Sequence, residues 1–102
     1  MKIMIRHIFL GTFKDGVSAE IRQKVLTDMQ AMKEKIPGIA AQQVGFSKGW
    51  TGKENQIVMT VDFQEKADFD VYMTHPYHME YVDKLGTEYF DRSSFSAAQF
   101  EF

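Results

Sequence analysis

The chain contains no cysteine. That removes disulfides, thiolate nucleophiles and cysteine-ligated zinc from consideration. It is also compatible with a reducing compartment, and the cytoplasm is the expected location. Proline is scarce, with two in 102 residues, so each one carries positional meaning. No apolar run approaches the roughly 20 residues that a membrane-spanning helix needs, so no membrane association is expected. The opening "MKIMIRHIFLGTF" has the lysine and apolar run of a leader peptide. Arg6 and His7 interrupt it and no small-residue cleavage site follows, so it reads as mature sequence. An excess of positive charge is missing too. Twelve basic residues against fourteen acidic ones give a formal net charge of −2, and the basic residues form no stripe. A nucleic-acid partner is not expected from such a surface.

What is present is a globular composition, 44% hydrophobic and 14% aromatic. Residues 1–102 read as a single domain without repeats, linkers or low-complexity tracts. A chain this short buries only a modest share of its surface, and self-association would help it.

The hydrophobic pattern orders the elements. Residues 3 to 13 read as a strand, with Ile3, Ile5, His7, Phe9 and Phe13 on one face and Met4, Ile8 and Leu10 on the other. Both faces are largely apolar, so both call for cover. Ser18 is an N-cap candidate for a helix over Val17 to Ile36, along which Val17, Ile21, Val25, Met29, Met32 and Ile36 recur at helical spacing. "IPG" ends it. "IAAQQVGF" reads as a weaker strand, "SKGWTGKEN" as a loop, and "QIVMTVDF" as a strand with Ile57, Met59, Val61 and Phe63 on one face. "QEKADFDVYM" reads as a short helix and the segment after "THP" as another, running to about Phe90. "SFSAAQFEF" reads as a short closing strand. The order β-α-β-β-α-β predicts an α+β, ferredoxin-like fold: a four-stranded antiparallel sheet with both helices on one face. The first strand's second apolar face is then uncovered, and a second copy of the chain, sheet to sheet, is the simplest partner.

"YMTHPYHMEY" carries the candidate chemistry. Proline favours the first turn of a helix, which makes His75 the N-cap ahead of Pro76. His78 begins a stripe with Val82, Leu85 and Tyr89 and so points inward, as does Tyr72 on the preceding helix. A metal site needs three or four ligands. The chain has three histidines and no carboxylate evidently aimed at them, so neither a metal nor another cofactor is expected. Acid–base work needs less: one imidazole that titrates near neutrality and a partner that orients the substrate. His78 can exchange a proton, Tyr72 can donate a hydrogen bond, and His7 sits among apolar residues on its strand. A buried histidine or tyrosine is more often only a satisfied core polar group, and from the residues alone both readings stay open.

These segments resemble the stress-responsive dimeric α/β-barrel (Dabb) family. The likeness rests on "IRHIFLGTFKDGVS", "MKEKIPGI", "VMTVDF" and "YMTHPYHMEYV", and it covers almost the whole chain. "FSAAQFEF" is a looser match, since the family usually carries an aspartate before its final aromatic residue. The resemblance implies a ferredoxin-like fold, a homodimer whose sheets form a barrel, and a pocket between sheet and helices in each subunit. One type of member, the plant olivetolic acid cyclases, closes a polyketide chain without a cofactor. The resemblance to that type implies Tyr72 and His78 as a catalytic pair and His7 as a pocket residue. Where that type lines its pocket with a third-strand histidine, this chain has Ile57 with Gln56 beside it.

Two expectations follow. In one, the protein is a cofactor-free enzyme acting on a small hydrophobic, aromatic or polyketide-like molecule. His78 is the base, Tyr72 the hydrogen-bond donor and His7 an orienting group, with Ile5, Phe9, Val25, Met29, Ile57, Phe69 and Val82 as pocket walls. Metal- and flavin-free oxidation, as in the related dimeric-barrel monooxygenases, is a variant of it. In the other, the protein is a non-catalytic, stress-related homodimer that binds a hydrophobic ligand or serves a structural role.

Overall fold

The computed structural model describes residues 3–102. Met1 and Lys2, which the sequence reading included in the domain and weighed as the start of a leader, lie outside the described residues.

The strand β1 (Ile5–Phe13) is central, and three further strands assemble around it: β2 (Ile39–Phe46), β3 (Gln56–Phe63) and β4 (Phe90–Glu101). The sheet order is β2-β3-β1-β4 and every pairing is antiparallel. In this register Phe9 lies opposite Met59 on one side and Ala97 on the other, and His7 lies between Val61 and Gln99. Directly opposed residues share a face. One face of the sheet therefore collects His7, Phe9, Phe13, Ile57, Met59, Val61 and Phe63, as the alternation in β1 and β3 predicts, and the helices pack on that face. They are α1 (Ala19–Gln30), α2 (Met32–Lys35), α3 (Lys66–Thr74), a π-helical turn Tyr77–Val82 and α4 (Asp83–Tyr89). The core between the layers joins Val25, Met29, Met32 and Ile36 to Ile57, Val61, Phe63 and Tyr72. This is the ferredoxin-like split βαβ arrangement.

The opposite face carries Arg6, Ile8, Leu10, Val58, Thr60, Asp62 and Phe100. Near one end of the central strand pair Arg6 and Asp62 are register partners, joined by two hydrogen bonds of 2.8 and 2.9 Å. The Arg6 guanidinium also lies 4.5 Å from the centre of the Phe102 ring.

Two elements depart from the sequence reading. The helix expected over Val17 to Ile36 starts as expected, with Ser18 Oγ accepting from Ile21 N–H at 3.2 Å, but breaks at Ala31. Groups from outside the helix bind the backbone at the break. The Tyr77 hydroxyl donates to Asp28 O at 2.8 Å, and the Gln42 amide donates to Met29 O at 2.6 Å while accepting from Lys33 N–H at 3.2 Å. The second departure is β4, which begins at Phe90 directly after α4 and not near Ser94. Its early part, "DRSS", is polar and bulged, and pairing with β1 makes it strand in spite of its composition.

The junction at "THPYH" forms as the proline demands. His75 ends α3 with extended dihedrals, φ −65° and ψ 136°. Its Nδ1 accepts from Tyr77 N–H at 3.1 Å and its carbonyl accepts from Met79 N–H at 3.0 Å. Losing a capping side chain typically costs about 1 kcal/mol, and replacing a compatible proline by glycine costs about the same through the unfolded chain. His75→Ala and Pro76→Gly should each lower stability by about 1 kcal/mol in chemical denaturation. Unchanged midpoints in both variants would remove the cap assigned here.

Candidate functional site

Between the helices and the inward face of the sheet lies a cavity of about 270 Å³, partly open to solvent. Strand alternation aims His7, Phe9 and Met59 into it from below, and α1 supplies Val25, Asp28 and Met29. The helical stripe of the "HPYH" segment supplies His78, Val82 and Leu85, at the i, i+4 and i+7 spacing expected. Phe90, Phe95, Ser96 and Ala97 of β4 complete the wall.

Three of its polar groups cluster. The Tyr72 and His78 rings are 4.5 Å apart between centroids, and Tyr72 and His7 are 5.6 Å apart. Tyr72 is 1% exposed and His7 5%. Burial disfavours charge, so it pushes the Tyr72 phenol well above its usual range. The same effect, helped by the repulsion that two protonated imidazoles would feel at His7 and His78, lowers His7 below its ordinary value. Tyr72 is thus a phenol, a donor, at any physiological pH, and His7 a neutral imidazole near pH 7. Gln99, opposite His7 in the ladder, places its amide nitrogen 3.0 Å from His7 Nδ1. With the amide donating to Nδ1, the His7 proton resides on Nε2. Phe69 backs this group from outside the cavity, with its ring 5.6 Å from His7.

Of the residues singled out in the sequence, His7, Phe9, Val25, Met29, Tyr72, His78 and Val82 line the cavity. Ile5, Ile57 and Phe69 do not. Ile5 lies opposite Phe63, one turn of the pleat beyond His7. Ile57 is wholly buried beneath the helices, opposite Gly11. Met32 and Met59 were missed as wall residues although their stripes were visible. Asp28 was missed because it reads as a solvent residue of α1. Its carboxylate pairs with Lys24 at 2.8 Å, so the charged group this side of the cavity offers is already matched. Phe90, Phe95, Ser96 and Ala97 were missed because the β4 register was not legible. Among the described residues no group of three His, Cys, Asp or Glu could hold a metal ion. Among them, too, no helix is long and apolar enough to cross a membrane.

Fold and cavity together define a class, a ferredoxin-like α+β domain with an apolar pocket that has one polar end. Residues 5–98 match the family model of the stress responsive A/B barrel domain, Dabb, and the chain belongs to that family. Solved structures agree. A dimeric protein of unknown function with a ferredoxin-like fold from Bacteroides fragilis is 27% identical, with 97% of this chain and 96% of that one covered and a TM-score of 0.77. A dimeric ferredoxin-like protein of unknown function from Thermobifida fusca is 22% identical over 100% of this chain and 93% of its own, with a TM-score of 0.83. The hydroxynitrile lyase of Passiflora edulis shares the fold at 14% identity, covering 100% and 95% of the two chains with a TM-score of 0.75. Among curated proteins, none matches the chain in sequence.

The lowered His7 pKa has a pH consequence. Above about pH 6.5 the residue is neutral in both folded and unfolded chains and contributes no slope. Below it the unfolded chain binds a proton that the folded one resists, so stability falls as pH drops from 6.5 toward the folded pKa. NMR titration should place His7 below 6.5, and His7→Gln should flatten the fall in thermal midpoint below about pH 6.5. A His7 that titrates at or above 6.5 would contradict the buried placement.

Proposed function

We propose that this protein is a homodimer that binds a small hydrophobic or aromatic molecule bearing one oxygen, and acts on it without a cofactor. The observation that carries the reading is the convergence of Tyr72, His78 and His7 on one end of a mostly apolar cavity. Such a pocket, mostly apolar with a few convergent polar groups, suits a small organic ligand. His78 is the general base, Tyr72 donates to the substrate oxygen as charge develops on it, and His7 orients that oxygen. The Passiflora hydroxynitrile lyase supports the reading to this extent: the fold there carries small-molecule chemistry. The competing reading is binding without turnover. The methionines Met29, Met32, Met59 and Met73 in the wall favour it, because flexible thioethers suit a pocket that accommodates ligands of varied shape.

The three histidines make the test direct. A panel of phenols and aryl ketones, followed by NMR, should shift the ring resonances of His7 and His78 and leave those of His75 unmoved. Hits that move neither His7 nor His78 would place binding elsewhere. If a hit is converted, His78→Ala should slow turnover by about 10²–10⁴-fold and Tyr72→Phe should weaken it with the fold intact. A hit that binds but is never converted, or turnover unchanged in His78→Ala, would favour the binding role.

The dimer is supported by the apolar open face of the sheet and by the two neighbours described as dimeric. Met4, Ile8 and Leu10 are its proposed contacts, and a stable obligate interface typically buries about 2,000 Å² or more in total. Analytical ultracentrifugation at micromolar concentration should show a dimer for the native chain and a monomer for Ile8→Glu. A native monomer would end this part of the proposal.

A further inference from the structure

The end of the cavity away from His78 is closed by three phenyl rings. Phe9 and Phe95 lie 5.1 Å apart between centroids, Phe90 and Phe95 5.6 Å, and Phe9 and Phe90 6.4 Å, all inclined edge to face. They meet over Gly11. A Cβ at that position would lie 3.1 Å from the Phe9 ring and 3.2 Å from each of the other two, so glycine lets the trio close without the rings having to give by a few tenths of an ångström. Gly86 plays a smaller part from the helix side, where a Cβ would sit 3.4 Å from Phe90.

Phe95 reaches this place by way of a bulge. Leu10 pairs with Ser96 and Thr12 with Asp91, so a two-residue step on β1 faces a five-residue step on β4. The three additional residues are braced. Ser94 Oγ accepts from Thr12 N–H at 2.9 Å and donates to Asp91 O at 2.5 Å. The Asp91 carboxylate accepts from the Ser93 N–H at 3.0 Å and from its hydroxyl at 2.6 Å. The Arg92 guanidinium lies 5.9 Å from the Phe95 ring centre. Bulges recur beside binding sites because they re-aim a side chain, and here the re-aimed side chain is the end wall of the cavity.

The cavity thus has a polar end at His7, Tyr72 and His78 and an aromatic stop at Phe9, Phe90 and Phe95. Four residue steps along β1 take His7 to Gly11, about 13 Å of strand, and the contact shells at both ends shorten the usable length. We propose that Phe95 is a specificity-determining residue: it limits the length of a planar aromatic ligand whose phenol or carbonyl oxygen is held at the polar end. This rests on the ligand reading above and adds the ligand's shape. Edge-to-face phenyl rings and the thioethers of Met32 and Met59 favour a flat ring over a charged or polar tail.

The test compares two rigid phenols of different length on the full chain by calorimetry: 2-naphthol and 4-phenylphenol. The native protein should bind 2-naphthol more tightly. Phe95→Ala, by removing the stop, should move the ratio of the two dissociation constants by about tenfold or more toward 4-phenylphenol. Phe95→Leu keeps an apolar side chain at the bulge and should move it the same way by less, so the outcome does not depend on the alanine variant folding. If both phenols bind and the ratio stays fixed in the variants, Phe95 is not the stop, while the ligand reading stands. The same holds if the native protein prefers 4-phenylphenol. If neither phenol binds the native protein, this inference and the ligand reading fall together.

Discussion

Pro76 has no amide hydrogen to donate, and its ring keeps His75 out of helical dihedrals. Helix α3 therefore has to stop at Thr74, and the chain has to restart. The restart is tied down at once, by the His75 imidazole on Tyr77 N–H and by the Tyr77 hydroxyl on the Asp28 carbonyl of α1. With Tyr77 anchored outward, His78, the next residue, is turned toward the sheet and its ring comes against Tyr72 at the end of the preceding helix. A continuous helix through residues 72–78 would put these two side chains six residues apart, about 120° from each other around the axis. The break brings them together, and the polar end of the cavity depends on it.

The same anchoring accounts for the irregular backbone nearby. The turn that follows, Tyr77–Val82, is π-helical, wider than the α-helix it leads into. Across the packed gap α1 ends early at Ala31, and the freed carbonyls of Asp28 and Met29 are bound by Tyr77 and Gln42. Each irregularity is matched to a partner side chain on another element. Buried backbone groups that leave a regular ladder need such partners, and these were supplied by a tyrosine and a glutamine that no local pattern marks out.

How far the sequence could be read follows from which interactions decide each element. Strand β3 is legible because Ile57, Met59, Val61 and Phe63 alternate over a buried face, and the start of α1 is legible because Ser18 caps it locally. His75 and Pro76 are local too. The break at Ala31 is not, since Gln42 comes from β2. Nor is the start of β4: "DRSS" has turn chemistry, and its polar side chains do bond one another, but β1 recruits the segment into the sheet from 80 residues away in sequence. Half of the candidate site was therefore visible. The inward stripe from His78 and the face holding His7 and Phe9 could be drawn from periodicity. The wall supplied by Phe90, Phe95 and Ala97 depends on a long-range register and a bulge, and periodicity within β4 points nowhere in particular, with serine and alanine at five of its twelve positions.

On the proposed function, electrostatics decide which guests the cavity favours. Burial drives both Tyr72 and His7 toward their neutral forms, and Asp28, the acidic residue among the lining, faces the ammonium of Lys24. A ligand carrying a full charge would shed its hydration at the mouth and meet no unmatched counter-charge inside, which is costly in an apolar site. A neutral molecule with one polar oxygen loses far less, and under the proposed roles it would recover that loss from the Tyr72 hydroxyl and the His7 N–H. On the proposed function the charge pattern and the aromatic end favour the same kind of guest, although they arise from different parts of the chain. One comes from the break at Pro76 and the other from the bulge that carries Phe95, and β1, with His7 facing the first and Gly11 beneath the second, holds the two at a fixed separation.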